Sequence, residues 1–122
     1  MPHCIVEYSA NLEADLSPRK LIRRIYDAIV ATGVYPLGGV RVRAARRDVY
    51  IVADGDPENA FVAVLIRMGQ GRDEATRRRV SQEVLAALAD ETSDSFARRG
   101  LSLSVEIQEI EESGASRKNN LH

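Results

Sequence analysis

Ala60-Phe61-Val62-Ala63-Val64-Leu65-Ile66-Arg67-Met68, followed at once by Gly69-Gln70-Gly71-Arg72-Asp73, is the stretch on which the fold turns. Its first nine residues are a nearly continuous apolar run rich in Val, Leu and Ile, the pattern of a strand buried on both faces. The glycines end that strand. Asp73 is a suitable cap for a long helix, whose apolar positions Val80, Val84, Leu85, Leu88 and Phe96 keep helical spacing to about Arg99. Gly100 breaks the helix. Leu101, Leu103, Val105 and Ile107 then alternate with Ser102, Ser104, Glu106 and Gln108, which predicts a half-buried strand.

The same order is written once before. His3 to Tyr8 reads as a short strand with Ile5 and Val6 inside. Ser17-Pro18 signals a helix start, since the hydroxyl caps free N–H groups and Pro fits the first helical position. Leu21, Ile22, Ile25, Tyr26, Ile29 and Val30 form its apolar stripe, and Gly33 is placed to end it. After the turn-rich Tyr35-Pro36-Leu37-Gly38-Gly39, Val40, Val42 and Ala44 alternate against Arg41, Arg43 and Ala45. That spacing predicts a strand, with a hairpin turning near Arg46-Arg47-Asp48 and returning through Val49-Tyr50-Ile51-Val52. Asp54 to Asn59 reads as a loop and residues 111–122 as a polar tail.

Strand–helix–strand given twice predicts an α+β domain spanning 1–122. Its two β-α-β units share one four-stranded mixed sheet, with both helices on one face. A chain of 122 residues has no third layer for the other face, so self-association is expected. The composition, 44% apolar and 29% charged with a net charge of −1, is that of a soluble globular protein and gives no reason to expect nucleic acid or a membrane as partner. No apolar run is long enough to span a bilayer, no secretory signal is visible, and Cys4 is the single cysteine, which suits a reducing cytoplasm. Two His and one Cys without ligand spacing give no support for a metal, and Gly69-Gln70-Gly71 lacks the rest of a dinucleotide fingerprint, so no cofactor is expected.

An ordered set of motifs adds to this reading. Met1-Pro2-His3, Ile5-Val6-Glu7, Ala31-Thr32-Gly33-Val34-Tyr35-Pro36-Leu37-Gly38-Gly39-Val40-Arg41, Ala53-Asp54-Gly55, Ala60-Phe61-Val62, Gly69-Gln70-Gly71-Arg72 and Lys118-Asn119-Asn120-Leu121-His122 run through nearly the whole chain. The chain resembles the 5-carboxymethyl-2-hydroxymuconate delta-isomerase family of the tautomerase superfamily. The resemblance implies a homotrimer, a catalytic N-terminal proline at Pro2, and substrate-binding arginines at Arg41 and Arg72. It also implies a substrate class, an unsaturated 2-hydroxy polycarboxylate from aromatic-compound degradation. The chain stops a few residues earlier than the family pattern, which bears on contacts made by the tail.

The residues suit that chemistry. With Met1 removed, Pro2 carries a secondary amine, and an N-terminal amine titrates at about 7.7–8.0, lowered further by burial and nearby cations. Such a base is largely neutral where acid–base work is most efficient. With Met1 attached its nitrogen is an amide and cannot serve. Arg41 follows a Gly-rich turn at a strand start, Arg72 sits between a strand end and a helix start, and Arg43 points the same way as Arg41 by alternation. Planar guanidinium groups suit carboxylates. Arg77, Arg78 and Arg79 span too many helix faces for one site and read as surface; His3 and Cys4 read as structural. Two other functions fit the same fold: a tautomerase of 2-oxo acids such as phenylpyruvate, and a trimeric binding protein without catalysis.

Overall fold

The computed structural model describes residues 2–122. The expected removal of Met1 lies outside the described residues. Four strands, β1 (His3–Ser9), β2 (Arg41–Arg47), β3 (Ala60–Gly69) and β4 (Leu101–Ile110), form one sheet in the order β2-β1-β3-β4. β1 runs parallel to β2 and antiparallel to β3, and β3 runs parallel to β4. Each parallel pair is bridged by a helix, α1 (Pro18–Ala31) or α2 (Glu74–Glu91), as the doubled strand–helix–strand pattern predicts.

The local signals act as read. The Ser17 hydroxyl accepts from the Lys20 N–H at 3.4 Å with Pro18 opening α1, and Gly33 leaves the helix at φ +69°. The Asp73 carboxylate accepts from the Thr76 N–H at 2.8 Å to start α2. Leu21, Ile25 and Ile29 of α1 and Val80, Val84 and Leu88 of α2 are buried against Cys4, Val6, Val62, Val64 and Ile66 of the sheet. β3 strictly alternates buried and half-buried residues rather than being sealed on both sides. Its second face, with Phe61, Ala63 and Leu65 beside Ile5, carries no helix.

Two further expectations are corrected. Val49 to Val52 does not return as a hairpin strand. Tyr50 instead meets Phe61 edge-on, ring centroids 6.1 Å apart, and this draws the chain across the open face and away from the edge of β2. Asx turns at Asp54 and Asp56 and positive φ at Ala53 and Gly55 then return it to β3. Val49 and Ile51 are left 97% and 87% exposed. The second helix also does not run unbroken to Arg99. Thr92 leaves helical backbone angles and caps α2, and a short helix, α3 (Ser93–Arg98), follows it, with Phe96 exposed rather than in the core. The buried Thr92 hydroxyl donates to the Leu88 carbonyl at 2.8 Å, which competes with continued helix pairing. α3 is held by Ser95, whose hydroxyl donates to Asp15 at 3.1 Å, and by the largely buried pair Arg99–Asp15 at 3.0 Å.

Candidate active site

The sheet has two chemically different ends. At one, Asp15 meets Arg99 and Arg98, and Glu58 meets Arg99, so charge is matched. At the other, β1 and β2 begin and β3 and β4 finish, which gathers Pro2, Arg41, Arg43, Arg67 and Arg72. Among the described residues, Arg41, Arg43, Arg67 and Arg72 have no carboxylate at salt-bridge distance, and of the other arginines only Arg19 shares that lack. Guanidinium groups without a carboxylate partner at one end of a sheet leave a positive potential there, which an anionic ligand relieves.

Pro2 is buried, and its carbonyl accepts from the Arg41 N–H at 3.1 Å, so strand pairing ties the two. The half-buried Arg41 side chain donates to the Gly39 carbonyl at 2.8 Å, within the 3₁₀ turn Leu37–Gly39. Arg41 faces two cavities. One, of about 640 Å³, runs between α1 and β2 past Arg19, Tyr26, Val42 and Arg43; the other, of about 540 Å³, lies between Arg41 and residues 118–121. Neither is lined by Pro2 or Arg72; Arg41 is the residue the two share.

Arg72 lies over the Tyr35 ring, Cζ 4.8 Å from the centroid, and donates to the carbonyls of Val34 at 3.3 Å and Gly69 at 3.5 Å. The Tyr35 hydroxyl donates to Met68 Sδ at 3.4 Å. Burial pushes the Tyr35 phenol up to about 12 against the opposing pull of Arg72, with Cys4 adding to the rise. Burial likewise pushes the Cys4 thiol up to about 12 with Arg43 opposing, so at neutral pH it is a thiol and no nucleophile. Arg77 donates to the Arg72 carbonyl, which makes it a brace of this turn, while Arg78 and Arg79 pair with Glu74 and Glu83 on the surface as read.

Arg43 is exposed and shares the open face with the half-buried Arg41, and its guanidinium donates to His3 Nδ1 at 3.2 Å. A guanidinium only donates, so His3 is neutral with its proton on Nε2. Partial burial, then Arg43, Arg41 and Arg67, hold the imidazole pKa below its ordinary value. Sequence reading missed Arg67 and Tyr35. The signal for Arg67 was there: one charge inside an apolar strand, at the position paired with His3. Tyr35 carried none, because only the fold brings it under Arg72. Among the described residues, no group of three or more His, Cys, Asp or Glu is able to hold a metal, and no helix is long and apolar enough to cross a membrane.

Comparison with known proteins bears on the same chain. The family model for 5-carboxymethyl-2-hydroxymuconate isomerase matches residues 2–122. A 5-carboxymethyl-2-hydroxymuconate Delta-isomerase of Escherichia coli is 30% identical over 122 residues, covering 100% of this chain and 97% of the relative. A crystal structure of a 5-carboxymethyl-2-hydroxymuconate isomerase from Deinococcus radiodurans R1 superposes with a TM-score of 0.89 at 37% identity, over 98% of this chain and 90% of the other. A further crystal structure of a 5-carboxymethyl-2-hydroxymuconate delta-isomerase gives 0.88 at 29% identity, over 97% and 88%.

Proposed function

The chain belongs to the 5-carboxymethyl-2-hydroxymuconate isomerase family, isomerases on a tautomerase-like fold, and from that premise we propose that Pro2 moves the proton of an unsaturated 2-hydroxy polycarboxylate. The observation that carries the reading is that buried Pro2 is bonded through its carbonyl to Arg41, at the sheet end where Arg43, Arg67 and Arg72 also lie without a carboxylate partner. Once Met1 is removed, Pro2 is a secondary amine. Its nitrogen takes the proton of the 2-hydroxydienoate and returns one to a carbon along the conjugated chain. Arg41 and Arg72 bind carboxylates and stabilise the charge developing on the dienolate, and Arg43 serves as a further carboxylate contact. Neighbouring cations disfavour the protonated amine, which keeps the base available near neutral pH.

No cofactor enters this scheme. The excess of guanidinium groups favours a polycarboxylate over a phenylpyruvate-like enol, which offers one carboxylate only. Aromatic-compound degradation supplies substrates of that class. The reading takes 1–122 as one domain working as a homotrimer in the cytoplasm: its open face of Ile5, Phe61, Ala63 and Leu65 and the exposed Val49 and Ile51 call for cover. A free, buried Cys4 suits a reducing compartment.

The test pairs two measurements. Intact-protein mass spectrometry is expected to find Met1 absent, and ultraviolet-followed turnover is expected to favour a dicarboxylate dienol over an aryl enol. Met1 retained throughout the purified protein would overturn the mechanism and favour a non-catalytic binding protein.

A further inference from the structure

Residues 118–122 are held against the site rather than projecting from it. The Asn119 side-chain amide donates to the Gly38 carbonyl at 2.9 Å, and its oxygen accepts the Leu121 N–H at 2.7 Å, folding the segment back on itself. The Leu121 carbonyl then sits 2.5 Å from where a Cβ on Gly38 would lie. Gly38 has no positive φ, so glycine is needed here for close approach and not for backbone conformation. The turn that seats this segment is the one whose Gly39 carbonyl holds the Arg41 guanidinium. Between them lies the cavity of about 540 Å³, lined by Arg41, Lys118, Asn119, Asn120 and Leu121. No acidic residue lines it, and Lys118, like Arg41, has no carboxylate at salt-bridge distance among the described residues.

We propose that residues 118–122, seated on Gly38, form one wall of the substrate site, where Lys118 and the Asn120 amide bind a second carboxylate opposite the one on Arg41. The proposal rests on the tautomerase reading and deepens it, because it makes the segment a reader of dicarboxylates. Two cations across one cavity suit a ligand with an anionic group at each end. Asn119 is a positioning residue, its amide committed to the turn.

Three variants test this: Lys118→Ala, Gly38→Ala, which pushes the segment off its seat, and a chain stopped after Arg117. Turnover of a dicarboxylate dienol and of an aryl enol is followed for each, and binding of adipate is measured by calorimetry. For all three, KM for the dicarboxylate is expected to rise about tenfold or more, with kcat within about threefold. Lys118→Ala should leave KM for the aryl enol unchanged, and adipate should bind about tenfold more weakly. Equal adipate binding and equal dicarboxylate KM in wild type and shortened chain would overturn the wall. A wild type that binds adipate through Lys118 but turns over neither enol would fail the tautomerase reading and leave the anion wall standing.

Discussion

Arg72 rests on the face of Tyr35, 4.8 Å from guanidinium carbon to ring centroid, and the same tyrosine anchors its hydroxyl on Met68. The ring thus fixes a cation that already donates to two backbone carbonyls, so Arg72 is oriented before any ligand arrives. A cation–π contact of this kind contributes about 0.5–2 kcal/mol. Tyr35→Leu is expected to raise KM by about 2- to 30-fold with a smaller effect on kcat, while Tyr35→Phe keeps the stack and stays near wild type. Steady-state kinetics check this, and a Tyr35→Phe as impaired as Tyr35→Leu would assign the role to the hydroxyl instead.

Arg41 and Arg72 are expected to be unequal to lysine. Removing a charge-assisted hydrogen bond costs about 1.5–3 kcal/mol, so Arg41→Ala and Arg72→Ala should each lose about 10- to 100-fold in kcat/KM. Arg72→Lys should recover only part of that, since the ammonium can neither stack nor donate in parallel. In wild type, KM should rise with ionic strength as the cationic end is screened. A salt-independent KM would count against carboxylate binding there.

Charge at the far end of the sheet does a different job. Asp15 and Arg99 meet at 3.0 Å with both side chains 10% exposed, and Asp15 also accepts from Ser95. Asp15→Ala leaves Arg99 with Glu58 alone and Ser95 without its acceptor, and is expected to destabilise the fold by about 1–3 kcal/mol, read as a lowered urea midpoint. At temperatures where the variant is folded, kcat should be unchanged.

The buried thiol sets an alkaline limit on stability. Unfolded, Cys4 ionises near 9.0; folded, burial holds it at about 12. Above pH 9 the unfolded chain therefore binds fewer protons than the folded one, and stability falls until the folded thiol ionises. Below pH 9 the contribution is complete. The slope from this group is about 1.4 kcal/mol per pH unit. Tyr35, raised to about 12 from 10.0, adds loss from pH 10 upward. Urea midpoints at about pH 8 and about pH 10 should diverge in wild type and converge in Cys4→Ala; equal divergence in both would show that the thiol is not the cause.

How much of this was legible in the sequence follows from where each signal is written. Ser17, Pro18, Gly33 and Asp73 act through neighbours within a turn, so their caps were readable from spacing. Leu21, Ile25 and Ile29 declared their face by period alone. Val49 to Val52 misled because its β-branched residues fit a strand, while its actual course is set by Tyr50 reaching Phe61, eleven residues later in sequence. Phe96 misled because Thr92 turns the chain between α2 and α3. Arg41 and Arg72 were placed by their positions at strand ends, but their company was not. Arg67 stood out as the one charge in an apolar strand, but it joins them only through sheet register, as Tyr35 and Lys118 do through the packing under Arg72 and the seat on Gly38.

The central claim is that the Pro2 nitrogen is the proton carrier. Its most direct test is the turnover of a dicarboxylate dienol by Pro2→Ala, with mass spectrometry confirming that the variant also begins at residue 2. The primary amine left behind is a poorer but not absent base, so kcat is expected to fall by about 10²-fold or more with KM within a few fold. A Pro2→Ala protein with unchanged kcat would contradict the account.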